Sequence, residues 1–220
     1  MGFNLIAIDQ WDRKEYFEHY LNQARCTYSL TTDIDITVLK AKLSSRNIKL
    51  YPVLLHMLAT VVNRHREFRT CFGADGQLGV WDKMSPCYTV FHADDTTFSN
   101  LWTEYCGDFA LFYQRYLADI REYGDSRQFF PQGEERPDTF PVSCLPWVSF
   151  TGFNLNIYTE GTYLLPIFTI GKYSARDEKI LLPLAIQAHH AVCDGFHTAR
   201  FVNELQSLAD NCENWLPPAE

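Results

Sequence analysis

The hydrophobic pattern of this chain switches between a period near 3.6 and a period of two, and each switch marks an element. Asp12 followed by Glu15 has the form of a capping box, which predicts a short helix from about Arg13 to Leu21. Tyr28–Leu30 opens a strand, and the alternation of Thr32–Lys42 turns helical toward its end. Pro52 suits the first turn of a second helix, with Val53, Leu54, Met57, Leu58, Val61 and Val62 as its buried stripe. Gly73–Gly76 is a turn between short strands, and Val80–Trp81 and Cys87–His92 are β-like. Ser99 is predicted to open a long helix striped by Leu101, Trp102, Tyr105, Phe109, Phe112, Tyr116, Leu117 and Ile120 and ended by Gly124.

Arg127–Asp138 carries Pro131, Gly133 and Pro137 among charged residues and reads as a loop. Strand candidates follow at Val142–Phe150, Leu155–Tyr158, Leu165–Tyr173 and Ile180–Ala188, the last two joined by a polar turn over Ser174–Lys179. A final helix runs from about Thr198 to Ala209, with Phe201, Val202, Leu205 and Leu208 inward. Strands continue on both sides of the loop, so residues 1–220 are expected to form a single domain. Strands and helices mix without regular βαβ alternation, which predicts an α/β two-layer sandwich, a mixed β-sheet covered by helices.

Composition narrows the class. Hydrophobic residues make up 46% of the 220 positions, enough for a core, and aromatic residues a high 15%, which suits apolar pockets and large interfaces. The net charge of −8 argues against a nucleic-acid binder, which needs a basic face. The seven cysteines are irregularly spaced and contain no CxxC pair, so no zinc framework is expected. No apolar run is long enough for a bilayer, and Met1–Lys14 has no signal-peptide core, so a cytoplasmic protein with reduced thiols is expected.

The chemistry concentrates in Gln187–His197, where three of the seven histidines fall within nine residues at a strand-to-helix turn. A histidine there suits a general base, because its ordinary pKa is about 6.5. Asp194 can fix the loop and Gly195 permits the turn. Two other chemistries stay open at this point. His189, His190 and His197 could converge on zinc, although adjacent strand residues point to opposite faces. Cys193 or Cys144 could be a nucleophile, although buried inert cysteine is the commoner case.

The string His189-His190-Ala191-Val192-Cys193-Asp194-Gly195 resembles the active-site signature of the chloramphenicol acetyltransferases. Further blocks resemble that family in the same order: Tyr51-Pro52, Val80–Asp82, Tyr88–His92, Phe130–Gly133, Pro146–Phe150, Phe153–Asn156 and Gly171–Tyr173. The resemblance runs from Trp11 to Leu208. The shorter HHxxxDG pattern is shared with other CoA-dependent acyltransferases, including the catalytic domains of 2-oxoacid dehydrogenase complexes, so the additional blocks select the antibiotic-modifying branch. Ala188 departs from the pattern, standing where a branched aliphatic is usual.

The resemblance implies a CoA-dependent acyltransferase fold and acetyl-CoA-dependent O-acetylation of chloramphenicol, which inactivates the antibiotic. It implies that His190 is the base and that Ser143 donates to the oxyanion, with Asp194 paired to Arg13 in support. It places Tyr28, Phe130, Phe153, Leu155, Phe168 and Thr169 around the drug, and Lys172, Tyr173, Trp147 and, more loosely, Lys49 on the side of CoA. It implies no metal, and a homotrimer with each active site at a subunit interface. A different hydroxyl acceptor, or a silent binder of drug or CoA, are the competing readings.

Overall fold

The computed structural model of the protein describes residues 2–157 and 163–218. The chain opens with β1 (Phe3–Leu5) and α1 (Lys14–Glu18), which runs on as a π-helical turn over His19–Gln23. Then come β2 (Thr27–Asp35), α2 (Thr37–Ser45), α3 (Leu50–Arg64), β3 (Thr70–Phe72), β4 (Leu78–Trp81), β5 (Ser85–His92) and β6 (Thr97–Trp102). The second half holds α4 (Phe109–Tyr123), β7 (Thr139–Leu145), β8 (Ile167–Gly171), β9 (Ser174–Arg176), β10 (Lys179–His189) and α5 (Gly195–Asp210).

The main sheet is seven-stranded, in the order β2-β10-β8-β7-β5-β6 with β9 on β10. β7 runs parallel to both β5 and β8, and the other pairings are antiparallel, so the sheet is mixed. A small sheet, β1-β4-β3, sits apart. β10 is the spine, paired with β2 from Leu181↔Asp35 to His189↔Thr27.

Strand alternation sorts the two faces of the sheet. Leu182, Leu184, Ile186 and Ala188 of β10 join the core with Phe168 and Ile170 of β8 and Val142 of β7. Against them pack the α3 stripe, including Val53, Leu54, Met57, Leu58, Val61 and Val62, and Phe201 and Leu205 of α5. Phe201 stacks on Phe168 with centroids 5.0 Å apart and planes 24° from parallel, and Phe140 meets Phe168 edge-on at 5.6 Å. Each such pair adds about 0.5–1.5 kcal/mol beyond its buried area. The intervening residues of the same strands, Ser143, Thr169, Ala185 and Gln187, belong to the opposite face, where Thr169, Ala185 and Gln187 are buried and Ser143 is half-buried.

Several predicted elements are displaced. Ser99 does not open a helix; it lies in β6, where Ser99 and Leu101 alternate inward opposite β5, and its hydroxyl donates to the Ser126 carbonyl at 2.7 Å. The helix begins only at Phe109, where the Asp108 carboxylate accepts from the Leu111 N–H, and Leu117 is exposed. Asp12 caps nothing; Arg13 is the N-cap of α1. The strand expected over Val142–Phe150 is Thr139–Leu145 and that over Leu165–Tyr173 is Ile167–Gly171. Residues 155–157 form no strand, and Tyr158 falls outside the described residues. The polar turn at Ser174–Lys179 is a tight hairpin between β9 and β10, with Asp177 left-handed at φ 54°.

Candidate active site

β10 delivers His189 and His190 to the edge where the chain leaves the sheet and turns into α5. The backbone N–H of His190 donates to the Cys26 carbonyl at 2.9 Å. Its imidazole lies on the Tyr20 ring at a centroid distance of 3.8 Å and an interplanar angle of 10°, and the Tyr28 ring meets it edge-on at 5.5 Å. Nδ1 of His190 is buried with no hydrogen-bond partner. Tyr28 in turn donates to Thr198 Oγ1 at 3.4 Å, and burial pushes its phenol far up.

The other two histidines of the segment are occupied. His189 is buried and its Nδ1 accepts from the Ala191 N–H at 3.1 Å. His197 sets its Nδ1 against the Asp194 N–H at 3.1 Å, completing a capping box with Asp194 at the start of α5. The histidines therefore do not converge, and no group of three or more His, Cys, Asp or Glu side chains among the described residues is arranged for a metal. A cysteine nucleophile is disfavoured as well. Burial pushes the Cys144 thiol up to about 11 and raises Cys193 further, away from the reactive thiolate.

Asp194 caps α5 through the Phe196 N–H and accepts from Arg13 Nη1 at 3.0 Å, across 181 residues of sequence. Burial raises its carboxyl, but the Arg13 hydrogen bond and the His197 and Arg13 charges outweigh it and hold the group below the usual carboxylate range. One ion pair thus ties the entry to α1, and with it Tyr20, to the exit from β10.

Ser143 stands on β7 next to Thr169 of β8, which is level with Ala185 of β10. Its hydroxyl makes no hydrogen bond to a described residue. His190 lies five residues beyond Ala185 and two strands over. At about 3.3 Å per residue and about 4.8 Å per strand, Ser143 and His190 of one chain are roughly 15–20 Å apart.

The proposed drug-side residues divide. Thr169 shares the Ser143 face, and Phe153 lies against it, its N–H donating to Thr31 Oγ1 at 3.2 Å. Leu155 is exposed and Phe130 is half-buried beside Phe129. Phe168 is a correction. It is fully buried between Phe140 and Phe201 on the helix-facing side, so it is a core residue and does not line a slot. Ile167, one position earlier, has the Thr169 face instead. Lys172 and Tyr173 border a cavity of about 190 Å³ with Leu50, Tyr51, Leu54, Cys144 and Pro146. Lys49 is the residue before Leu50, and Trp147, the residue after Pro146, is exposed against Phe91 at 4.6 Å.

Tyr20 was not expected from the sequence. No local sequence signal marks it; its π-helical turn, a geometry that often marks a functional position, and its stack on His190 are visible only in the fold.

The described fold is that of acyltransferases. A solved structure of a chloramphenicol acetyltransferase superposes with a TM-score of 0.85 at 21% identity, covering 94% of this chain and all of that one. The cubic core of the pyruvate dehydrogenase multienzyme complex superposes at 0.66 and 18% identity, covering 99% of this chain and 94% of its own. A family model described as chloramphenicol acetyltransferase matches residues 1–206. A chloramphenicol acetyltransferase of Clostridium perfringens is 59% identical over 216 residues, 98% of this chain and 99% of that protein. One from Staphylococcus aureus is 48% identical over 208 residues, 94% and 99% of the two chains. The chain belongs to the chloramphenicol acetyltransferase family and is an acyltransferase.

Proposed function

We propose that this enzyme transfers the acetyl group of acetyl-CoA to a hydroxyl of chloramphenicol, with His190 as general base. The observation that carries the reading is the state of the His190 ring. It is clamped by Tyr20, takes no hydrogen bond from a described residue, and has Nδ1 buried. Nε2 is therefore the nitrogen left for a substrate, and a fixed, unengaged imidazole is what proton removal from an alcohol requires.

The reaction then balances without a covalent enzyme intermediate. His190 takes the hydroxyl proton as the oxygen attacks the thioester carbonyl. The tetrahedral oxyanion accepts from the unengaged Ser143 hydroxyl. Collapse re-forms the carbonyl and expels the CoA thiolate, which recovers the proton from the imidazolium. Asp194 and Arg13 hold the turn that aims His190.

The separation of His190 from Ser143 within one chain favours a site assembled between two copies, the base from one and the oxyanion donor from the next. Exposed Phe91, Phe98, Phe129, Trp147 and Val148 supply the apolar surface for such a contact. We assign a homotrimer, with acetyl-CoA as co-substrate and no metal. Tyr28, Phe130, Phe153, Leu155 and Thr169 would bound the drug, and Lys172, Tyr173, Trp147 and Lys49 would hold CoA. The compartment assigned is the cytoplasm; no helix among the described residues is long and apolar enough to cross a membrane.

The test follows both products. Incubation with acetyl-CoA and chloramphenicol should give one acetylated drug molecule and one free thiol per turnover. Thiol release unaffected by chloramphenicol, with no acetylated drug, would overturn the reading.

A further inference from the structure

In a chain of net charge −8, cations without a carboxylate partner are informative. Four of the seven lysines are paired: Lys14 with Asp9 and Glu18, Lys42 with Glu213, Lys83 with Glu104 and Lys179 with Asp35. The other three, Lys40, Lys49 and Lys172, have no carboxylate partner among the described residues. Two of them, Lys40 and Lys172, stand at the cavity beneath Tyr173, and Lys49 adjoins it in sequence. Lys172 lines it, Lys49 precedes its lining residue Leu50, and the Lys40 ammonium stands 5.2 Å from the centroid of the Tyr173 ring, itself part of the lining.

Lys40 comes from α2, an element that contributes nothing else to the proposed site. It is half-buried, so the aliphatic stem is held while the ammonium reaches the ring. A cation over an aromatic face is attracted by the ring's electron-rich surface, which holds Lys40 and Tyr173 together. Lys172 borders the same cavity with the same charge, and like charges without a carboxylate partner favour an anion between them.

We propose that Lys40 is a third CoA-binding cation, which positions Tyr173 and attracts the phosphate-bearing end of acetyl-CoA. This rests on the reading of the enzyme as a CoA-dependent acyltransferase. The ligand chemistry is a multiply charged phosphate ester with a flat ring for Tyr173, at the side of the cavity bordered by Lys172 and Tyr173 and approached by Lys40.

The experiment compares wild type, Lys40→Met and Lys40→Arg with acetyl-CoA and with acetyl-3′-dephospho-CoA, at low and high salt. Lys40→Met should raise KM for acetyl-CoA about 3–10-fold, the size expected of one partly exposed ion pair. The loss should fall on KM rather than kcat, shrink at high salt, and be largely restored by Lys40→Arg. A smaller loss with the dephospho compound would place the contact at the 3′-phosphate, and an equal loss would place it at the diphosphate; both support the proposal. A wild-type KM in a folded Lys40→Met enzyme would overturn it, as would a loss that is insensitive to salt and not restored by arginine. Failure of the wild type itself to saturate with acetyl-CoA would instead overturn the functional reading beneath it.

Discussion

Tyr20 and His190 lie face to face, their ring centroids 3.8 Å apart and their planes 10° from parallel. Tyr20 belongs to the irregular π-helical turn His19–Gln23, and His190 follows the last strand of the main sheet. Two segments far apart in sequence thus fix one imidazole, and a base held in one orientation needs no reordering when the substrate arrives. Tyr20→Ala should lower kcat about 5- to 100-fold, and Tyr20→Phe, which keeps the stack, should stay near wild type. Steady-state rates and the pH–rate profile check this; an ordering role predicts a lower plateau with an unmoved inflection.

Ser143 is expected to act only on the transition state. Ser143→Ala should cost about 10²–10³ in kcat and leave both KM values within a few fold. Equal losses in kcat and substrate affinity would make the hydroxyl a ground-state contact instead.

Asp194 ties helix capping to the Arg13 ion pair. Its side chain is 35% exposed, so removal should cost less than for a fully buried pair, about 1–3 kcal/mol including the lost cap. Its folded pKa is depressed, so its contribution is present above the ordinary carboxylate range and is lost as pH falls through the folded value. The stability gap between wild type and Asp194→Asn should hold at neutral pH and close below about pH 4. Urea unfolding at several pH values measures it.

Phe168 should behave as a core residue. Phe168→Ala should destabilise the fold by about 3–5 kcal/mol, with kcat and KM near wild type in whatever enzyme remains folded. A selective rise in KM for chloramphenicol at full stability would return it to the drug slot.

If His190 and Ser143 meet only across two chains, variants defective in each should complement. Co-expressed His190→Ala and Ser143→Ala chains should show activity above that of either alone, because some mixed interfaces keep both groups. Subunits that form their sites within one chain would show no such gain.

These residues also mark how far the sequence could be read. The α3 stripe from Val53 to Val62 and the β10 run from Ile180 were legible because burial enforces one period over many residues. The same rule failed at Ser99–Trp102, where a stripe compatible with a helix hid a period-two strand that pairs with β5. Phe168 and Thr169 were grouped together, although neighbours on a strand face opposite ways; assigning the parity of β8 would have separated them. His190, Asp194 and Arg13 were reached through motif resemblance, and the 3.0 Å contact between the last two spans a distance in sequence that periodicity does not encode. Tyr20 and Lys40 had no local signal, since their roles depend on what tertiary packing sets beside them.

In the proposed mechanism His190 removes the proton from the chloramphenicol hydroxyl. The most direct measurement is the steady-state acetylation rate of His190→Ala, in an enzyme shown by acetyl-CoA titration to be folded and to bind its co-substrate. The account predicts normal acetyl-CoA binding and a rate lowered by about 10²–10⁴ or more. A variant that binds acetyl-CoA and still acetylates chloramphenicol at a rate near wild type would contradict it.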